Sequence, residues 1–198
     1  MSPITVVPYD PKWPLVFATL RETIWNAVGD VALRIEHVGS TSVPGLAAKP
    51  VIDLDVVVHL ADVPTSLARL EGIGYRPLGD LGIPQREALK PPPSAVPHNL
   101  YVCPSTSPAL KNHLAVRDYL RANPEAASAY GELKKRLAIL YPEDMEGYVE
   151  AKSDFLAEVL RQAGFEQAGI EEIRRLNRRR GAGEPSARQY PPKPAKTN

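Results

Sequence analysis

The chain has 198 residues, 43% hydrophobic and 24% charged, enough for one domain with a substantial core. A single cysteine, Cys103, excludes an internal disulfide framework and a multi-cysteine metal site, and no apolar run approaches the ~20 residues that span a bilayer. Of 24 basic and 23 acidic residues, 16 and 22 precede Arg174, so a body of net −6 carries a C-terminal segment of net +7, which excludes a uniformly basic surface for nucleic acid. The opening Met-Ser-Pro-Ile-Thr has no basic and apolar leader pattern, and the expected location is cytoplasmic, with no membrane partner.

Prolines stiffen the leading segment from Pro8 to Pro14. Behind it Phe17, Leu20, Ile24 and Val28 recur at helical spacing, predicting a helix over 15–28 that closes near Gly29. Alternation over 31–38 predicts a strand, and 39–50 a loop or short helical turn. The β-branched run at 51–58 is the clearest strand. A helix over 63–72 follows, with Pro64 in its first turn. Short strands are expected at 75–78, 85–89 and 98–103, the last two separated by a proline-rich linker that cannot hold a central strand. The second half is helical in pattern over 110–123, 125–141, 145–164 and 170–180, broken at Asn123-Pro124 and Tyr141-Pro142. The fold class is therefore α+β: a mixed sheet over about 1–108 with helices packed on it, and a helical C-terminal half over about 109–180. Residues 181–198 are too poor in apolar side chains to pack and read as a disordered basic tail.

Asp53 and Asp55 lie two apart on a strand, so their carboxylates share one face. Two neighbouring carboxylates repel unless a cation lies between them, and Mg²⁺ takes one or two such groups together with substrate phosphates. Thirteen residues earlier, Gly39-Ser40 opens the loop after the preceding strand. Gly39 permits a tight turn, and Ser40 can face an anion or simply cap a helix. Each feature has a plain structural reading alone. Together, a phosphate cradle and a carboxylate pair on adjacent strands suit a nucleoside triphosphate with Mg²⁺.

The segment Glu36-His37-Val38-Gly39-Ser40-Thr41-Ser42-Val43-Pro44-Gly45, continuing through Lys49 to Asp53, resembles the signature of the GrpB family, an uncharacterised branch of the nucleotidyltransferase superfamily. The similarity extends to Tyr9-Asp10-Pro11-Lys12-Trp13-Pro14, His98-Asn99-Leu100-Tyr101-Val102, Arg117-Asp118-Tyr119-Leu120-Arg121, and two Tyr-x-x-x-Lys pairs, Tyr130/Lys134 and Tyr148/Lys152. It covers about residues 4–164 and implies a nucleotidyltransferase-like domain. It also implies Mg²⁺ or Mn²⁺ on Asp53 and Asp55, phosphate binding by Gly39 and Ser40, and charge neutralisation by Lys49. The superfamily's third carboxylate, which activates the acceptor, has no obvious counterpart. Glu87 and His98 are the candidates for that place.

Three functions are consistent with these residues: transfer of a nucleoside monophosphate from a triphosphate to an unknown acceptor, nucleotide binding without catalysis, and RNA binding through the Arg174–Arg180 helix. Cys103, His59 and His113 have no helper at suggestive spacing. His37 is placed to support the Gly39-Ser40 loop. Arg117, Arg121, Lys134 and Lys152 read first as amphipathic helix surface.

Overall fold

A computed structural model describes residues 3–178. Helix α1 runs over Trp13–Val28, entered through Pro14 in its first turn and closed where the Gly29 N–H returns to Trp25 O at 2.7 Å. Strand β1 is Ala32–Val38, and after a 3-10 turn at Ser40–Ser42 comes β2, Ile52–Val58. A second 3-10 turn at Leu60–Asp62 leads into α2, Val63–Gly72, followed by β3 at Arg76–Gly79, β4 at Glu87–Lys90 and β5 at His98–Pro104. The helical half comprises α3 (Pro108–Ala122), α4 (Pro124–Leu140), α5 (Met145–Ala151), α6 (Ser153–Gln162) and α7 (Gln167–Arg178). The expected helix over 145–164 is thus two helices, broken at Lys152. The expected last helix is described only to Arg178, and the expected tail at 181–198 lies outside the described residues.

The strands form one mixed sheet in the order β1-β2-β5-β4-β3, with β2 and β5 parallel and the other pairs antiparallel. This is the expected α+β architecture, a mixed sheet with helices packed on it. Strand β2 sits between two neighbours, which is why Ile52, Leu54, Val56 and Val58 are all buried, packed with Ile24 and Val28 of α1 and Leu70 of α2. On the opposite face Val57 and Cys103 meet Leu110 of α3. The loop after β1 is tied into the helical half, where Val43 and Leu46 pack with Leu120, Tyr130 and Val159. No described helix is long and apolar enough to cross a membrane.

Candidate functional site

The register decides which side chains share a face. Asp53 pairs with Asn99 and Asp55 with Tyr101 on β5, while Val38 and Glu36 lie opposite the same two residues on β1. These side chains line up on the face turned toward the helical half. Between that face and α3–α7 lies a cleft of about 840 Å³.

At one end of the cleft the Gly-Ser turn meets the carboxylates. Gly39 has φ +68°, and a Cβ there would stand 2.1 Å from Asp53 Oδ2, so only glycine permits both the turn and the contact. Asn99 Nδ2 donates to Asp53 Oδ1 at 2.7 Å and fixes the carboxylate from the other side. Burial pushes the Asp53 carboxyl above the usual carboxylate range, and the charge of Asp55 adds to this; the Asn99 bond and the charges of His113 and Lys152 oppose it. Asp55 is fully buried. Its Oδ2 is bonded to His113 Nδ1 at 2.8 Å, and its Oδ1 has no hydrogen-bond partner among the described residues.

Ser40 lines the cleft beside Gly39. Its side chain caps nothing: Gly39 is the residue preceding the 3-10 turn, and Ser42 Oγ closes the turn by donating to Gly39 O at 2.6 Å. Ser40 therefore does not cap the turn, and it borders the cleft. Lys49 also reaches the cleft, its Nζ 3.5 Å from Met145 Sδ, with burial lowering its pKa against the pull of Asp53. His37 supports the loop as expected. Its Nε2 lies 3.1 Å from Thr41 Oγ1 and its ring stacks on Phe17 at 4.6 Å. Burial, assisted by the charges of Arg121 and Arg117, brings its pKa down to about 4, so it is neutral.

Glu87 and His98 are not brought to the pair. His98 lies beside Ile52, one residue out of phase with Asp53, and so points into the layer of α1 and α2. There its Nε2 accepts from Tyr75 Oη at 2.8 Å and its Nδ1 donates to Val96 O at 2.7 Å, which occupies both ring nitrogens. Glu87 lies opposite Val102, on that same far face. On the cleft side β5 carries Asn99, Tyr101 and Cys103, none of them acidic. Burial raises the Cys103 thiol well above its ordinary range, which makes it a packed thiol rather than a nucleophile.

What spacing did not reveal comes from the helical half. His113, 58 residues from Asp55, is its partner. One helical turn on, Arg117 Nη1 donates to Glu36 Oε2 at 2.7 Å and to His37 O at 3.1 Å. A turn further, Arg121 donates twice to Ser42 O at 3.0 and 2.8 Å. The i, i+4, i+8 spacing of these residues was the available signal of one working helix face. Lys134 and Lys152 are cleft residues too, each ammonium 4.5 Å above the ring of the tyrosine one turn before it. Lys49, Arg86, Lys111, Arg117, Lys134 and Lys152 line the cleft against Asp53 and Glu172, so basic side chains outnumber acidic ones in its lining.

The fold and site thus define a protein with a Gly-Ser turn and an Asp-x-Asp strand set in a cationic cleft. The pattern of the family described as GrpB protein matches residues 3–162, and the chain belongs to that family. It is 37% identical over 162 residues to UPF0157 protein BH1888 of Halalkalibacterium halodurans, covering 81% of this chain and 82% of that one. To UPF0157 protein YqkA of Bacillus subtilis it is 32% identical over 154 residues, covering 77% of this chain but 45% of YqkA, so it spans less than half of that relative. The crystal structure of the conserved protein GrpB from Enterococcus faecalis superposes with a TM-score of 0.73 at 33% identity, over 85% of this chain and 99% of that one.

Proposed function

We propose that the chain binds a nucleoside triphosphate in this cleft and transfers its nucleoside monophosphate to an acceptor. The observation that carries the reading is the contact between Gly39 and Asp53: the turn that can hold phosphates touches the carboxylate that can hold their cation. The donors suit Mg²⁺ or Mn²⁺. The Asp55 Oδ1 is buried without a hydrogen-bond partner among the described residues, burial raises the Asp53 carboxyl, and Asn99 bonds Asp53 at Oδ1. Among the described residues no three His, Cys, Asp or Glu side chains form a metal-binding group on their own, so an ion held here would need water and substrate phosphates to complete its shell. Asp53 and Asp55 would hold the ion, which when bound would polarise the phosphates and neutralise the charge of the leaving pyrophosphate.

The remaining roles belong to the chain itself. Gly39 lets the backbone approach the phosphates and the Ser40 hydroxyl donates to one of their oxygens. Lys49 neutralises charge. Asn99 and His113 hold the two carboxylates in place. Arg117 and Arg121 bind the backbone on either side of the Gly39-Ser40 turn and so position it.

A second reading, nucleotide binding without transfer, is favoured by one observation: the cleft face of β5 has no acid to activate an acceptor. The RNA-adaptor reading rests on Arg174–Arg180, of which 179 and 180 lie outside the described residues; Arg174 and Arg175 make exposed ion pairs with Asp154 and Glu172. The test is thermal stabilisation by each nucleoside triphosphate with and without Mg²⁺, followed by pyrophosphate release. Asp53→Asn with Asp55→Asn should abolish the metal-dependent stabilisation while the unliganded melting temperature holds or rises, since buried like charges have been removed. A double variant that unfolds, beside a wild type indifferent to Mg²⁺, would make the pair structural. Stabilisation without pyrophosphate release would select the second reading.

A further inference from the structure

Lys134 is buried in the cleft wall at 2% exposure, and its Nζ has no hydrogen-bond partner among the described residues. The groups that face it are few. Its own helix offers the Tyr130 ring, 4.5 Å away. Asp53 on β2 and Lys152, between α5 and α6, act on it through their charges, Asp53 favouring the ammonium and Lys152 opposing it. Tyr148 of α5 lies under Lys152, and Lys49 and His113 border the same cleft. The phenols are no source of negative charge: burial raises Tyr130 far above its usual range and Tyr148 to about 12.

We propose that Lys134 and Lys152 form a phosphate subsite in which Lys134 gains a proton as the polyanion enters, so that ligand binding and proton uptake are one event. This rests on the polyphosphate reading above and adds to it the state of charge of the empty site. Burial together with the Lys152 charge holds the Lys134 amine at about 7, where an ordinary lysine titrates near 10.5. A neutral amine is the cheaper occupant of a buried position that already faces a second ammonium. A phosphate reverses the balance, because it supplies both the missing acceptor and a compensating charge. The proton comes from bulk solvent. Below pH 7 the amine is already charged and uptake is small. Above it uptake approaches one proton per ligand, and affinity falls about tenfold per pH unit until the bound-state pKa is reached.

The experiment is calorimetric titration of the full chain with inorganic tripolyphosphate in excess Mg²⁺, at pH 6 and pH 8, each in two buffers of different ionisation enthalpy. The expected result is close to one proton taken up at pH 8 and little at pH 6. Lys134→Arg stays charged at both values and should bind with no such uptake. Lys134→Met should bind more weakly at pH 6 than the wild type and with a flat pH dependence, and it serves as the control should the arginine not be accommodated. Wild-type binding without proton uptake, or uptake that persists in both variants, would overturn the subsite and leave the polyphosphate reading standing. If the wild type does not bind tripolyphosphate at either pH, both fall.

Discussion

At the scale of single residues, the site depends on side chains whose plainest sequence roles are not their structural ones. Ser40 reads as a cap and is not one; the cap-like bond belongs to Ser42. This separates two outcomes for Ser40→Ala. Loss of a cap would lower stability by about 1 kcal/mol. Loss of a hydroxyl that donates to phosphate should weaken triphosphate binding by about 1–3 kcal/mol and leave the melt alone. The second is expected, and a nucleotide titration at fixed Mg²⁺ beside a thermal melt decides it. An unchanged dissociation constant would remove Ser40 from the phosphate site. The placement of Gly39 and the aspartate pair was legible because it follows from local geometry: a left-handed turn and an i, i+2 strand pair. His113 was not, because its partner is 58 residues away and nothing in local sequence encodes that meeting.

At the scale of elements, strand β2 was legible from its β-branched run and the helices from their periodicity and the prolines that break them. What failed was face assignment across strands. Side chains alternate with period two, so a one-residue difference in register moves a residue to the other side of the sheet. Glu87 and His98 were correctly placed on strands near the site, yet the register with β5 and β2 turns both toward α1 and α2. The pairing that sets register is long-range. A second lesson comes from α3, whose arginines read as solvent-facing. Arg121 donates twice to Ser42 O and so fastens the helical half to the loop that carries Ser40. Arg121→Ala should cost about 1 kcal/mol of stability, as expected for hydrogen bonds made by a largely exposed side chain. It should also weaken triphosphate binding without touching the ligand. Arg121→Lys restores charge but not the fork, so it should recover little of either. Full recovery by lysine would mean that general positive charge, not the loop clamp, is what the site requires.

For the whole molecule, the cationic cleft lies where two layers meet, and the joint is held partly by a histidine that must stay neutral. His37 stacks on Phe17 from the α1 side, touches Thr41 of the loop, and lies near Arg117 and Arg121 of the helical half. A proton there would be added to a buried ring already facing two guanidinium groups. Its folded pKa, about 4, lies below the ordinary 6.5, so between those values the unfolded chain binds more protons than the folded one. The His37 contribution to stability therefore falls as pH is lowered through that interval, while Asp53, whose carboxyl is raised by burial, works in the opposite direction. The His37 contribution amounts to about 2 kcal/mol by pH 5. His98, whose pKa is lowered by burial, acts in the same direction, and Glu36, held below its usual range by Arg117 and Arg34, adds a further loss only as pH drops through the carboxylate range. Urea unfolding at pH 7.5, 6 and 5 measures the sum. His37→Asn should flatten the slope between pH 6.5 and 5 without abolishing it, because His98 remains. A His37→Asn profile parallel to that of the wild type across that interval would mean that His37 is solvated enough to accept its proton in the folded state, and that the joint between sheet and helical half is looser than its contacts imply.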